Sequence, residues 1–401
     1  MPDALAPTLA AAQARIAAVN PAAYARTRNA LDGAVSGLSP YLTHGLVTLP
    51  EVLAGVQARH ALDVQHKFVY ELGWRAYFRH VWQHRGHGIL QSLHEGPLPD
   101  EAYARELPAD VREARTGVPV IDRAVHTLYD TGLLHNHARM WLASYLVHQR
   151  HVHWRTGADW MIGHLLDGDL ASNHLSWQWV AGTGSRKPYL FNAENVARHA
   201  PAAWHSAGTV VDVPYEVLER RARTPERRAP PPPALDRVPV VEPPCTSAPP
   251  AELGVVAPDP ALARGREIWL VHPWNLGALP TDLPADTLVI GLVVDEVHRA
   301  WPWSARRWRF VGERMAELAR HRWHGDAVAI GVALAGARRV ASIDDPHLAP
   351  WLPRWAACRA APRLFPAVDG RCDSFSQWWT RATRGVRTAA ELLAGQEASA
   401  W

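Results

Sequence analysis

The sequence predicts an all-helical part followed by an α/β part, joined by a proline-rich segment. Three observations carry this. Residues 1–220 place apolar residues at helical spacing and contain few β-branched runs. Residues 221–264 include RTPERRAPPPPALDRVPVVEPPCTSAPPAELGVVAPDP, whose prolines exclude a regular helix or a central strand and suit an extended linker. From 265 to 401 the chain opens with REIWLVHP and DTLVIGLVVDE, short apolar runs bounded by turn residues, as buried parallel strands are.

Composition narrows the classes. Of 401 residues, 48% are hydrophobic and 20% charged, a ratio that builds a core and excludes a wholly disordered chain. No apolar run reaches membrane-spanning length, and MPDALAPTLAAAQARIAAVN lacks the continuous apolar core of a secretory signal. The three cysteines, Cys245, Cys358 and Cys372, form no CxxC pair, against a disulfide framework, a cysteine zinc site or an iron–sulfur cluster. A cytoplasmic monomer without a membrane partner is expected. A net charge of +3 gives no bulk attraction to nucleic acid, though a local basic groove is compatible with it.

The α/β part is predicted as strand, strand, helix, strand. RRWRFVGERMAELARHR reads as an amphipathic helix and DAVAIGVAL as the further strand.

Four segments of the helical part carry chemistry. In SGLSPYL, small hydroxyl residues with free N–H groups stand before a helix start, where phosphates bind. The bland alternative is an N-cap at Ser39 with Pro40 at the first helical position. In FVYELGWRAYFRHVW, Glu71, Trp74, Arg75 and Phe78 share a helix face. They form either a ligand wall or a Glu71–Arg75 surface pair. In TGLLHNHARMWLASYL, Asn136, Arg139 and Met140 share a face, with Asn136 read as a polar residue inside a helix. In DGDLASNHLSWQWVAGTG, Asp169, Asn173 and Trp177 recur every four residues, and mid-helix Asp and Asn ask for a partner. Asp167 pairs with Arg139 if their helices face. His137, His148, His151 and His153 lack a metal-binding spacing, so no metal is assigned.

In this order, SGLSPYL, ELGWR, TGVPVIDRAV, TGLLHNHARMWLASYL, DGDLASNHLSWQWVAGTG and a following FN resemble the FAD-binding helical domain of the photolyase/cryptochrome family. The resemblance spans about Tyr24 to Asn195. It implies a non-covalent FAD bound by Tyr24, Ser36, Leu38, Ser39, Arg75, Arg139, Asp167, Asp169 and Asn173. It also implies a substrate pocket of Glu71, Trp74, Asn136, Met140 and Trp179, as in cyclobutane pyrimidine dimer photolyases. Trp177 and Trp154 match two members of the family's electron-transfer chain, and the third falls at Val111. The family's WRE is WRA here, with Ala76, and the arginine after Asn136 is His137.

The resemblance implies light-driven repair of cyclobutane pyrimidine dimers in DNA, a carbon–carbon lyase reaction. The alternative is a blue-light photoreceptor that binds FAD without repair. Residues 265–401 resemble the family's Rossmann-like antenna domain moved to the C-terminus. That leaves room for an antenna chromophore of unspecified identity, with Trp274, Trp301 and Trp303 as candidate lining or as core.

Overall fold

The computed structural model describes residues 5–225 and 239–397. Residues 5–225 fold as helices joined by turns and loops. Four of these form one packed group: α1 (Lys67–Arg85), α2 (Asn136–Ser144), α3 (Trp154–His164) and α4 (Leu170–Ala181). Three open on a histidine cap, because a neutral imidazole nitrogen accepts from an otherwise orphaned N–H. His66, His135 and His153 accept from Phe68, His137 and Arg155 at 3.2, 3.1 and 3.1 Å. This accounts for part of the histidine excess. α4 is capped by Asp169, and α4 packs against α1, α2 and α3.

The C-terminal part is a five-stranded parallel sheet: β1 (Glu267–Val271), β2 (Leu288–Val294), β3 (His321–Gly325), β4 (Arg339–Ile343) and β5 (Ala357–Arg359). Its order is β3-β2-β1-β4-β5, with Leu270 opposite both Ile290 and Ser342. This is a Rossmann-like order. Helix α5 (Ala305–Leu318) links β2 to β3 and is capped by Ser304.

DAVAIGVAL corrects the expectation of a strand. It forms the helix Ala327–Leu334, capped by Asp326, which accepts from Ala329 N at 2.7 Å. The strand is HRWHG just before it, so the end of RRWRFVGERMAELARHR turns from helix to strand after Leu318. An unbroken apolar run has no period that separates the two states, and here the cap decides.

The two parts share one core. Tyr41, Phe68 and Trp82 belong to the same buried cluster as Trp274, Trp303, Trp308 and Trp378. Trp274 stacks on His347 at 4.1 Å and meets Trp303 edge-on at 6.0 Å, so these tryptophans fill the core. The helix Phe375–Ala382 packs on α1, with Phe375 stacked on Trp74 at 4.1 Å. From residue 239 the expected linker is docked: Val240 N donates to Glu113 O at 3.0 Å, and Cys245–Thr246 pairs with Trp303–Ser304. Residues 226–238, including its proline run, lie outside the described residues. Among the described residues no helix is long and apolar enough to cross a membrane.

Candidate functional site

A cavity of about 210 Å³ opens among α1, α2, α3, α4 and the turn Leu165–Asp169. Its walls follow helical geometry. α1 contributes Glu71, Trp74, Arg75 and Phe78, and α2 contributes Asn136, Arg139, Met140 and Ala143. The turn and α4 contribute Asp167, Asp169, Ser172, Asn173, Ser176, Trp177 and Val180, and α3 adds Met161. On α1 and α2 the spacing is i, i+3, i+4, i+7, the face one helix presents in one direction.

The polar groups are arranged in pairs. Arg139 Nη2 donates to both carboxylate oxygens of Asp167 at 2.9 and 2.8 Å. Burial raises the Asp167 pKa, and Arg139, with Ser39 and Arg75, more than offsets this and holds it below the usual carboxylate range. Asp169 accepts from Arg79 Nη2 at 2.7 Å and from Ser172 N and Oγ at 2.9 and 2.7 Å. Burial opposes its charge too, and Arg79 and Arg75 overcome that, so it lies far below the carboxylate range. Asn173 Nδ2 donates to Ala158 O at 2.9 Å, tying α4 to α3. Asn136 Nδ2 approaches Met140 Sδ at 3.4 Å on one face of α2.

Arg75 is different. Its guanidinium is enclosed by protein yet keeps a surface on the cavity, and it donates to Thr43 Oγ1 at 2.8 Å. Among the described residues no carboxylate forms an ion pair with it. Burial lowers its pKa, only partly countered by Asp169 and Asp167 at longer range. A desolvated cation with one neutral partner is suited to an anionic ligand.

The cavity thus gathers eleven of the residues singled out in the sequence: Glu71, Trp74, Arg75, Phe78, Asn136, Arg139, Met140, Asp167, Asp169, Asn173 and Trp177. The others lie elsewhere. Ser39 does not line the cavity but bonds to Asp167, which does, and Leu38 is core. Ser36 Oγ accepts from Leu38 N at 3.4 Å. Tyr24 meets Phe68 edge-on at 5.5 Å. Trp154 is buried and donates to Ser92 Oγ at 3.0 Å. Trp179 is 40% exposed and stacks on Tyr189 outside the cavity. Val111 is buried in the helical core.

Local readings change in four places. Asp169 is the cap of α4, not a mid-helix residue, and that cap role is why Asp is tolerated there. Asn136 is the first residue of α2, where poor interior propensity costs little. Leu38 stands at the cap position of Ser39–Thr43, so Ser39 and Pro40 are its first two residues. Glu71 pairs with Arg28 at 3.4 Å, not with Arg75. The four histidines have separate partners: His148 bonds with Val180 O at 2.9 Å and His151 with Arg221 O at 3.1 Å, while His153 caps α3 and His137 stacks on His199 at 4.8 Å. Among the described residues no cluster has the make-up of a metal site.

The sequence reading missed Arg79, Asp345 and Arg307. Arg79 stands four residues after Arg75, so the 71, 75, 79 spacing shows it on the same face. Asp345 and Arg307 come from the α/β part, and no sequence signal joins them to the cavity.

Residues 68–203 match the model of the FAD-binding domain of DNA photolyase. A deoxyribodipyrimidine photo-lyase of Synechococcus is 33% identical over 184 residues, 42% of this chain and 37% of the relative. One of Streptomyces griseus is 36% identical over 152 residues, 38% of this chain and 33% of the relative. A cryptochrome DASH of Synechocystis is 33% identical over 172 residues, 40% of this chain and 35% of the relative. The alignments therefore span little more than a third of these relatives' length. Every residue that lines the cavity lies within the matched segment 68–203, so it is the cavity-building part of this chain that is similar to the FAD-binding domain of DNA photolyase.

Proposed function

We propose that this chain binds FAD in the cavity and repairs cyclobutane pyrimidine dimers in DNA under blue light. The observation that carries the reading is convergence. Glu71, Trp74, Asn136 and Met140 share one cavity with Arg75, the Arg139–Asp167 pair and Asn173. The residues present fit the cofactor: Arg75 is an enclosed cation without a carboxylate partner, as a diphosphate requires. Arg139, Asp167, Asp169 and Asn173 offer fixed donors and acceptors to a polar ring edge. Bound FAD would supply light absorption and one-electron chemistry.

The chain's own residues supply the rest. Trp74, Phe78, Met140 and Met161 form an apolar lining that admits unstacked bases and excludes water. Glu71 and Asn136 stand within it as polar groups able to orient a dimer's carbonyl and N–H edges. The Arg28 contact holds the Glu71 side chain in place. DNA affinity falls with salt, because phosphate contacts release counterions. We also read residues 265–401 as the family's antenna domain in permuted order, supported by the parallel β3-β2-β1-β4-β5 sheet.

The test is direct. The purified chain is reduced anaerobically and illuminated with blue light beside a dimer-containing oligothymidine, and thymine absorbance is followed. Yellow protein with light-dependent thymine recovery is expected. Bound flavin without recovery moves the reading to a photoreceptor, a reading that the position of Trp179 outside the cavity favours. Protein that takes up no flavin overturns both.

A further inference from the structure

We infer that Arg307, on the α/β part and outside the cavity wall, is a positioning residue for the cavity's two aspartates. Both stand in the turn Leu165–Asp169, with Gly168 between them. Arg307 Nη2 donates to Gly168 O at 2.6 Å and Nη1 to Ile162 O at 3.0 Å. A Cβ on Gly168 would fall 2.5 Å from Arg307 Nη1 and 2.6 Å from Ile162 O, so a side chain there would expel the guanidinium. The glycine of DGD is the space in which Arg307 sits.

The arginine is placed at high cost. It is 1% exposed, its guanidinium lies 4.0 Å over the Trp303 ring, and burial pulls its pKa down to about 9. Among the described residues no carboxylate forms an ion pair with it. A buried cation of this kind is a poor source of stability, since well-packed apolar groups do as well. What it does provide is two directed bonds to backbone oxygens around the turn.

The same part of the chain grips the turn's far end. Arg79 spans from Asp169 at 2.7 Å to Asp345, just after β4, at 3.2 Å. Asp345 is held in turn by His347, through Nδ1 at 2.6 Å and N at 2.9 Å. Asp167 thus faces Arg139 and Asp169 faces Arg79 because the turn between them is clamped from the sheet side.

The test uses full-length Arg307→Lys, with Trp303→Phe as a control that weakens the packing under the guanidinium but leaves its two carbonyl bonds. Amide hydrogen exchange is read first, without flavin. Leu166 N bonds to Gly132 O at 2.8 Å and Gly168 N to Leu165 O at 3.3 Å. In Arg307→Lys these two amides are expected to exchange at least tenfold faster while β2 is unchanged, and Trp303→Phe leaves the turn protected. Equal acceleration in both variants, or none in either, overturns the inference. The second readout rests on the proposed FAD site: Arg307→Lys weakens FAD at least tenfold and shifts its reduction potential, which a general loss of stability does not do. Unchanged affinity and potential also overturn the inference. If the wild type takes up no FAD, that functional reading fails while the exchange data still decide this one.

Discussion

Asn173 shows how one side chain serves two purposes. Its Nδ2 is committed to Ala158 O at 2.9 Å, which joins α4 to α3, and the rest of the amide lines the cavity. Leucine has a similar volume and no donor. Asn173→Leu should therefore cost about 1–3 kcal/mol of unfolding free energy, the penalty of one lost buried bond, and leave the fold intact. With flavin bound, the same variant should change the spectrum reached under blue light. Denaturant unfolding and photoreduction spectra check the two effects separately, and an unaltered photoreduced spectrum would remove Asn173 from the cofactor's surroundings. Glu71 offers a contrasting case. It is fixed by Arg28 at 3.4 Å on the substrate side of the proposed site, so Glu71→Ala should lower dimer repair well before it lowers flavin content. Parallel loss of both would show that the carboxylate serves the fold.

Between elements, α3 and α4 pack tightly at Gly157. Gly157 stands one turn after Trp154, and a Cβ there would fall 2.3 Å from the Trp177 ring. On an exposed helix, Gly→Ala stabilises by up to about 1 kcal/mol. Here overpacking decides the sign: Gly157→Ala should destabilise by roughly 1–3 kcal/mol and push Trp177 toward the cavity. A lowered melting temperature with altered tryptophan emission is expected, and a raised one would show that α3 can yield. The wall residues of α1 and α2 were legible because a helix writes its buried face into the sequence at i, i+3, i+4, i+7. The Arg139–Asp167 pair was legible for the same reason, once the two segments were taken to face. The roles of Asp169 and Asn136 were not, because a residue at a helix start and one inside the helix look alike in a periodic pattern. DAVAIGVAL failed as a strand because a short run apolar on every side carries no period. Arg307 and Asp345 were out of reach altogether: they act through contacts with residues far away in the chain, which only the docking of the two parts creates.

At the scale of the whole molecule, that docking makes stability depend on pH in a defined window. Where the helical and α/β parts meet, His44, His298, His272 and His347 are buried, or nearly so, and uncharged imidazole suits the site. Burial, helped by the nearby Arg307 charge, lowers the His44 pKa to about 3, although bonds to Pro273 O and Leu166 O partly oppose this. His298 is driven well below its ordinary value by the same causes. Burial also lowers His272 and His347. The unfolded chain protonates histidine near pH 6.5. Above that value both states are neutral and the full stability is present. Between 6.5 and the folded values the unfolded state binds more protons, so stability is lost as pH falls. Asp167, Asp169 and Asp345 have depressed values, and their contribution is lost mainly below about 3.9, at the acid end of this window and beneath pH 4.5. At pH 4.5, His44 alone should cost about 2–3 kcal/mol relative to pH 7, from two pH units of unmatched protonation. Urea unfolding at pH 7, 5.5 and 4.5 should give a steadily falling free energy. His44→Gln should be less stable at pH 7 yet lose less on acidification. An equally steep loss in that variant would assign the acid sensitivity to other groups and leave the interface histidines without this role.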